Sequence, residues 1–387
     1  MDRLPGGPAW QCDMLEVDGF TTTRPIHLIW RDAREVVKDV LTNPVFANHM
    51  TFDPYVVIWN GEREYSEFFT SNRMHQIQVY GSSSLSYFML TSRQDNLPEG
   101  ATIIPVIIAS DKTPVTRHTG NLAMHPVFIT IGNIQSDVRM QATSYAWCCV
   151  GYIPTPKFNV HPDFQTLLAS HLFHRCMDII FTSLKETAEH GMPMADSFGY
   201  VQNCFTLLVA YVADLPKQQL VAGVSKNASP VTTTTMPQFG NSFPHSPCTG
   251  RHTLQLITDL CAGVHPWDIA TFQKKAKAIY LLGVHLPFWR NWKFVDPPYF
   301  LISEILHTCH KFFFNHLLKW CKEVVGNHLL DERYKNQHRR SGVRHFCSGI
   351  SHIKQMTGRD HRDIQCILVP MIAEASVRTT PLFVNAI

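Results

Sequence analysis

The sequence predicts an α/β protein: a mixed sheet with helices, followed by a mainly helical C-terminal region. Three observations predict it. Leu97–Thr113 (LPEGATIIPVIIASDKT) holds a nearly unbroken, β-branched apolar run from Ile103 to Ala109, the composition of a buried strand. His125–Gly132 (HPVFITIG) and Ala142–Ile153 (ATSYAWCCVGYI) are two more strand-like runs joined by short polar turns, which suggests an antiparallel meander. Pro162–Gly191 then reads as one long amphipathic helix, and Cys204–Ala213 (CFTLLVAYVA) as a fourth strand.

Composition sets the outer limits. A chain of 387 residues can bury one large core or two ordinary ones. With 45% hydrophobic and 17% charged residues it falls among globular rather than disordered chains. No apolar run approaches the roughly 20 residues that cross a bilayer, so no membrane association is expected. The opening MDRLPGGPAWQCDMLEVDG has no apolar stretch and does not read as a secretory signal. The 11 cysteines are scattered without a C-x-x-C pair, the pattern of reduced thiols in an intracellular protein.

In chain order, residues 1–25 read as an irregular lead-in. Leu28–Leu41 carries apolar positions at helical spacing with a stop at Asn43-Pro44, so a helix is expected there. Thr51–Asn60 reads as extended, turning at Asn60-Gly61, and Glu62–Gln78 as helical. Val79–Gln94 (VYGSSSLSYFMLTSRQ) is serine-rich and patternless between two organised segments. A valine codon begins with GT and glutamine can be CAG, so this segment is expected to be a translated intron and is set aside from the fold. A mature transcript that still encodes it would contradict that expectation.

Pro162 suits the first turn of the long helix, Asp163 complements its dipole, and Gly191 closes it. Its apolar stripe is Phe164, Leu168, Leu172, Cys176, Ile179/Ile180 and Leu184. Ala222–Gly250, rich in Ser, Thr, Pro and Gly, is expected to be an exposed, mobile loop. A helix over Thr253–Gly263, a second bearing Lys274, Lys275 and Lys277, and the aromatic segment LPFWRNWKF follow. Pro298–Val325 is expected to be one helix, with Ile302, Leu306, Cys309, Phe313, Leu317, Trp320 and Val324 on one side. Glu304, His307, Thr308, Lys311 and Asn315 share the other, either a solvated polar face or one that presents Glu304 as an acid with His307 beside it. From Arg333 to Arg359 there are seven Lys/Arg, three His and no acid: either a phosphate-contact surface or a solvated basic face.

Three strands, a helix and a fourth strand, with Asp111 ending the first strand and Asp214 the fourth, is the element order of a ribonuclease-H-like domain. Strands one and four are neighbours in that fold, so Asp111 and Asp214 are expected to face each other. Two carboxylates that close repel unless a cation lies between them, the setting for two-metal phosphoryl transfer. On its own, an Asp after a strand and close to Pro114 reads as a turn residue bonded to its own backbone.

The segments PIHLIWRDAREVVKDV, NPVFANHMTFDPYVV, LPEGATIIPVIIASDKTPVTRHTG, HPVFITIGNIQSDVRM, LVAYVADLP, LPFWRNWKF, EILHTCHKFFFNHLLKWC and MTGRDHRDIQ resemble the Plavaka-type transposon proteins of mushroom-forming fungi, a group related to the CACTA transposases. The resemblance covers most of residues 10–375, apart from Val79–Gln94. It implies a nuclear DDE-type nuclease and strand-transfer enzyme on a ribonuclease-H-like core, working on DNA at transposon ends and leaving room for a homo-oligomer. Asp111 matches the first acidic position and Asp214 the second; Glu304 is the candidate third, with Glu323 and Glu332 as alternatives. These acids would hold Mg²⁺ or Mn²⁺, and Arg339, Arg340, Arg344 and Lys354 would contact DNA.

The organisation implied is an N-terminal helical and extended region over 1–96, a ribonuclease-H-like core over 97–221, a mobile loop over 222–252, and a helical region over 253–387 that completes the catalytic core. Two departures stand out. GVSKNASPVTTTT replaces the C-x-x-C pair that many relatives carry after the second acid, so a zinc knuckle is not expected. VRTTPLFVNAI does not resemble the family's continuation, so a truncated copy is expected. A non-catalytic remnant or domesticated DNA-binding protein is the competing reading. An unrelated metabolic enzyme finds no support in a P-loop, G-x-G-x-x-G, H-E-x-x-H or G-x-S-x-G motif.

Overall fold

The computed structural model describes residues 7–79, 97–98, 100–116, 123–303, 305, 309–339, 341–353 and 357–385. The chain divides into two compact units, Met1–Ile302 and Ser303–Ile387. The supposed intron lies outside the described residues, apart from Val79.

The first unit opens with β1 (Gln11–Leu15) antiparallel to β2 (Ile26–Trp30), then α1 (Ala33–Thr42). The helix expected over Leu28–Leu41 is thus a strand followed by a shorter helix. Ile26 and Leu28 are buried on alternate positions, a period of two, and Asp32 caps the helix by accepting from Arg34 N and Glu35 N. β3 (Val57–Trp59) and β4 (Glu62–Glu64) form a hairpin across Asn60-Gly61. Both turn residues have positive φ, 51° and 83°, as a two-residue primed turn requires. The helix expected from Glu62 therefore starts only at α2 (Asn72–Val79).

The central strands follow the predicted order. β5 (Ala101–Ser110) leads into a small ladder of β6 (Thr113–Pro114) and β7 (Ala123–Met124). β8 (Pro126–Ile131) pairs antiparallel with β5; after α3 (Ser136–Arg139), β9 (Cys148–Tyr152) pairs antiparallel with β8. α4 (Pro162–His190) buries Leu168, Leu172, Cys176, Ile180 and Leu184 against the sheet, the stripe legible in the sequence. It ends at Gly191, φ 69°, where a Cβ would lie 2.5 Å from the Phe205 ring. β10 (Met192–Ala195) turns back along β11 (Val201–Ala213).

The sheet order is β1-β2-β9-β8-β5-β11-β10. β11 runs parallel to β5, in register from Asn203↔Ala101 to Val212↔Ala109 with one irregularity near Val209. The result is a mixed α/β architecture whose buried centre is the β8-β5-β11 triplet.

After β11 come α5 (Leu215–Ala222), α6 (Gly250–Gly263) and α7 (Ile269–Ala278). The segment between α5 and α6, expected to be exposed, is anchored at its flanks by buried Val224, Ala228 and Cys248. It is exposed at its tip, including Phe239 and Phe243. Phe288, Trp289 and Trp292 from LPFWRNWKF are buried in the core of this unit. α8 (Pro297–Phe300) and β12 (Leu301–Ser303), which pairs with β11, follow.

The second unit is helical, as expected: a π turn over Phe313–Leu317 runs into α9 (Leu318–Val325), followed by α10 (Asn327–Lys335), α11 (Gly358–Ile372) and α12 (Pro381–Asn385). The single helix expected over Pro298–Val325 is therefore interrupted, with β12 near its start and a π turn in its middle. The π turn accommodates one extra residue, so the buried face advances by one position. Leu318, Cys321 and Val325 are buried where Leu317, Trp320 and Val324 were expected, and Trp320 is 50% exposed.

Asp331 ties α10 to the following loop by accepting from Ile350 N at 2.7 Å, Ser351 N at 2.8 Å and the Ser351 hydroxyl. Burial pushes its carboxyl up, but the Ser351 and Ile350 donors and nearby His352 outweigh it and hold the pKa below the usual range. A depressed folded pKa contributes stability above the unfolded value of about 3.9 and loses it as pH falls through the folded value. The second unit should thus weaken below about pH 4. Asp331→Asn should flatten that acid limb while lowering stability at pH 7, as read by urea midpoints at the two pH values.

Candidate active site

The parallel register positions the two predicted acids. β5 ends at Ser110 and β11 at Ala213, so Asp111 and Asp214 leave the sheet at the same edge, on adjacent strands. Ser110 Oγ and Tyr211 Oη, both buried and 2.5 Å apart, cross-link the two strand ends just beneath them. Asp111 is exposed. Asp214 is half-buried and caps α5, its Oδ1 accepting from Lys217 N at 3.0 Å, while Pro216 suits the first turn. The buried Gln218 donates to Ala213 O at 2.8 Å and Ile302 O at 3.2 Å, fixing the end of β11 against β12.

A basic residue that sequence reasoning missed stands beside these acids. Lys217 Nζ lies 2.7 Å from His125 Nε2 and 4.5 Å from the Phe173 ring centroid. His125 stacks on Phe173 with centroids 5.8 Å apart. Burial, then the charges of Lys217 and Lys112, push His125 down to about 3, so it is neutral and its Nε2 accepts from the ammonium. Burial also lowers Lys217, to about 8; the charges of Asp111 and Asp214 act against that drop, while Lys112 adds to it. At neutral pH Lys217 is a cation held in the field of both carboxylates.

Buried aromatic and histidine contacts fix α5. Trp289 Nε1 donates to Val221 O at 2.7 Å. His174 Nε2 lies 2.9 Å from Leu220 O, and its Nδ1 accepts from Phe288 N at 3.1 Å. Burial is the main cause that lowers His174 to about 4, leaving one neutral tautomer that joins α4, α5 and the aromatic segment.

Glu304, His307, Arg340 and Lys354 lie outside the described residues. Glu323 on α9 and Glu332 on α10 pair with Lys319 at 4.0 Å and Lys335 at 2.8 Å. Arg339 is exposed. Arg344 is paired with Asp360, and Arg333 donates to Met371 O and Ala373 O at the end of α11. Part of the basic stretch is thus engaged within its own unit. Lys274, Lys275 and Lys277 are exposed together on α7.

Carboxylate oxygens suit Mg²⁺ or Mn²⁺ by donor type, and a shared strand edge lets two of them converge. Among the described residues no group of three or more His, Cys, Asp or Glu side chains could hold a metal ion. Asp111 and Asp214 are two oxygen-bearing side chains at that shared edge.

No helix among the described residues is long and apolar enough to cross a membrane. No curated protein matches the chain. The family model described as Plavaka transposase matches residues 1–321, a span that includes Asp111, Asp214 and Glu304. The chain belongs to the Plavaka transposase family.

Proposed function

We propose that this protein is a metal-dependent DNA-cleaving and strand-transferring enzyme of the DDE type, with Asp111 and Asp214 as two of its acids and Glu304 as the third. One observation carries the reading: the β5–β11 register brings the ends of two parallel strands, each followed by an Asp, to one edge of the sheet. The order β9-β8-β5-β11, with α4 connecting the meander to β11, supports a ribonuclease-H-like core. Mg²⁺ or Mn²⁺ bound there would supply an activated nucleophile and neutralise charge on the phosphodiester. Capping of α5 orients Asp214, and the Ser110–Tyr211 bridge holds the two strand ends at a fixed separation. The partner is DNA at transposon ends, reached in the nucleus, with Arg339, Arg340, Arg344 and Lys354 as candidate phosphate contacts.

Incubating the purified protein with plasmid carrying the element's ends tests the reading. Nicking that needs Mg²⁺ or Mn²⁺ and stops in EDTA supports it. DNA binding without cleavage would leave a non-catalytic DNA-binding protein. Replacing Arg339, an exposed member of the basic stretch, with Ala should weaken binding to duplexes of any sequence. The slope of log affinity against log salt should fall by up to about one. An unchanged slope would make it a solvated side chain and turn attention to Lys274, Lys275 and Lys277.

A further inference from the structure

The segment joining α5 to α6 is tied down along its length and ends in exposed aromatic rings. Met236 N donates to Asn227 O at 2.8 Å, Thr233 N to Ser246 O at 2.9 Å and Cys248 N to Val231 O at 3.0 Å, so the chain folds back on itself. Gln219 of α5 donates to Ala228 O at 2.9 Å, and Ser225 N to Tyr280 O at 2.8 Å just beyond α7. Side chains presented from a loop held this way lose little further freedom when they bind. Yet Phe239 and Phe243 at its tip are 52% and 60% exposed. His245 packs against Phe243 with ring centroids 4.9 Å apart, which orients that ring without covering it.

Charge separates this patch from another exposed aromatic group of the same unit. The β3–β4 hairpin shows Trp59 and Tyr65 beside exposed Glu62 and Glu64, which repel a polyanion. From Leu215 to Thr258, by contrast, the chain has no Asp or Glu, while Lys226 and Arg251 are exposed. Asp296, which accepts from Gly250 N at 2.6 Å, is half-buried and engaged at the loop's foot. Lys275 and Lys277, exposed in the last turn of α7, closely precede the Tyr280 carbonyl that holds the loop's other end. Exposed rings, free of carboxylates and flanked by cations, make a surface that stacks on unpaired bases while neutralising their phosphates.

We propose that the loop between α5 and α6 grips single-stranded DNA, with Phe239 and Phe243 stacking on unpaired bases and Lys226, Lys275 and Lys277 meeting the adjoining phosphates. This rests on the functional reading above for DNA as the partner, but not for metal-dependent cutting. A paired duplex hides the faces of its bases, so the rings select frayed or flapped strands. Cutting and joining strands passes through such forms.

Fluorescence anisotropy of the full-length protein, in EDTA, with a labelled single-stranded oligonucleotide and with the same sequence as a duplex tests this. Phe239→Ala and Phe243→Ala should each weaken single-strand binding on the order of tenfold. Duplex binding and the salt slope should not change, because no phosphate contact is lost. Phe243→Trp should keep the affinity, since it keeps a stacking face. Lys275→Ala should instead lower the salt slope by up to about one on both DNAs. Should an alanine variant fail to fold, Phe239→Ser and Phe243→Ser carry the same comparison. Equal losses on single strand and duplex would overturn the stacking role. No loss on either would also overturn it and leave the rings to a protein partner. Ring-dependent single-strand binding by a protein that does not nick plasmid would uphold the loop and remove the nuclease reading. Nicking by a protein whose single-strand affinity ignores the rings would do the reverse.

Discussion

Asp111→Asn or Asp214→Asn should each lower the rate of DNA cleavage by about a thousandfold, several kcal/mol of charge stabilisation at about 1.4 kcal/mol per decade. Neither change should unfold the protein. Asn caps a helix about as well as Asp, so the bond from Lys217 N to residue 214 survives. Asp111 is exposed after the last residue of β5, where substitutions shift stability by roughly half a kcal/mol or less. The two acids are proposed to act as a unit, so the double variant should be little worse than either single one. Single-turnover cleavage rates, with Tm as the control, check this. A variant that keeps its activity would remove that residue from the mechanism.

The second large effect is on stability. Trp289→Ala should cost about 3–5 kcal/mol, the usual range for emptying a large aromatic site in a core. Trp289 is 2% exposed and donates to Val221 O, the carbonyl one residue before the end of α5. Its ring also lies where a Cβ on Gly250 would come within 2.9 Å, so the start of α6 is fitted to it. Trp289→Phe keeps most of the ring but leaves the buried Val221 carbonyl without this donor, and should cost about 1–3 kcal/mol. Urea unfolding followed by circular dichroism measures both. A loss below about 1 kcal/mol for the Ala variant would mean that the aromatic segment does not anchor α5.

The centre of the fold was legible because its signals are long and redundant. The run into Ser110, the 29-residue α4 with Pro at its start and Gly after its end, and the apolar β11 each satisfy several rules at once. Their order alone suggested that Asp111 and Asp214 belong together. Short elements were less legible. Leu28 and Ile29 fit helical spacing as well as alternation, and pairing of β2 with β1 and β9 decides between them. The three-residue β12 has no strand pattern of its own and exists because β11 offers a partner. The π turn at Phe313–Leu317 shifts the buried positions beyond it by one residue, which periodicity cannot foresee, and Ile302 and Cys309 of the expected stripe are exposed.

The candidate site was read from its acids alone. Lys217 was passed over in the stretch after ADLP, and His125 read as the first residue of a strand; only the packed sheet brings them to 2.7 Å. The signal available was a lysine in the first turn of a helix, against the dipole. In the basic stretch the reverse happened. Its freedom from acids ends just past Arg359, and Asp360 and Asp363 there accept from Arg344. A window of one charge sign said nothing of partners immediately outside it.

The central claim, that Asp111 and Asp214 jointly hold divalent cations, is tested most directly by anomalous diffraction from crystals soaked in Mn²⁺. The predicted result is an anomalous peak between the two carboxylates, with oxygens about 2.0–2.2 Å away, as hard divalent cations take them, and absent in Asp214→Asn. Full occupancy of Mn²⁺ elsewhere with none at this pair, or side chains turned to opposite faces of the sheet, would contradict it.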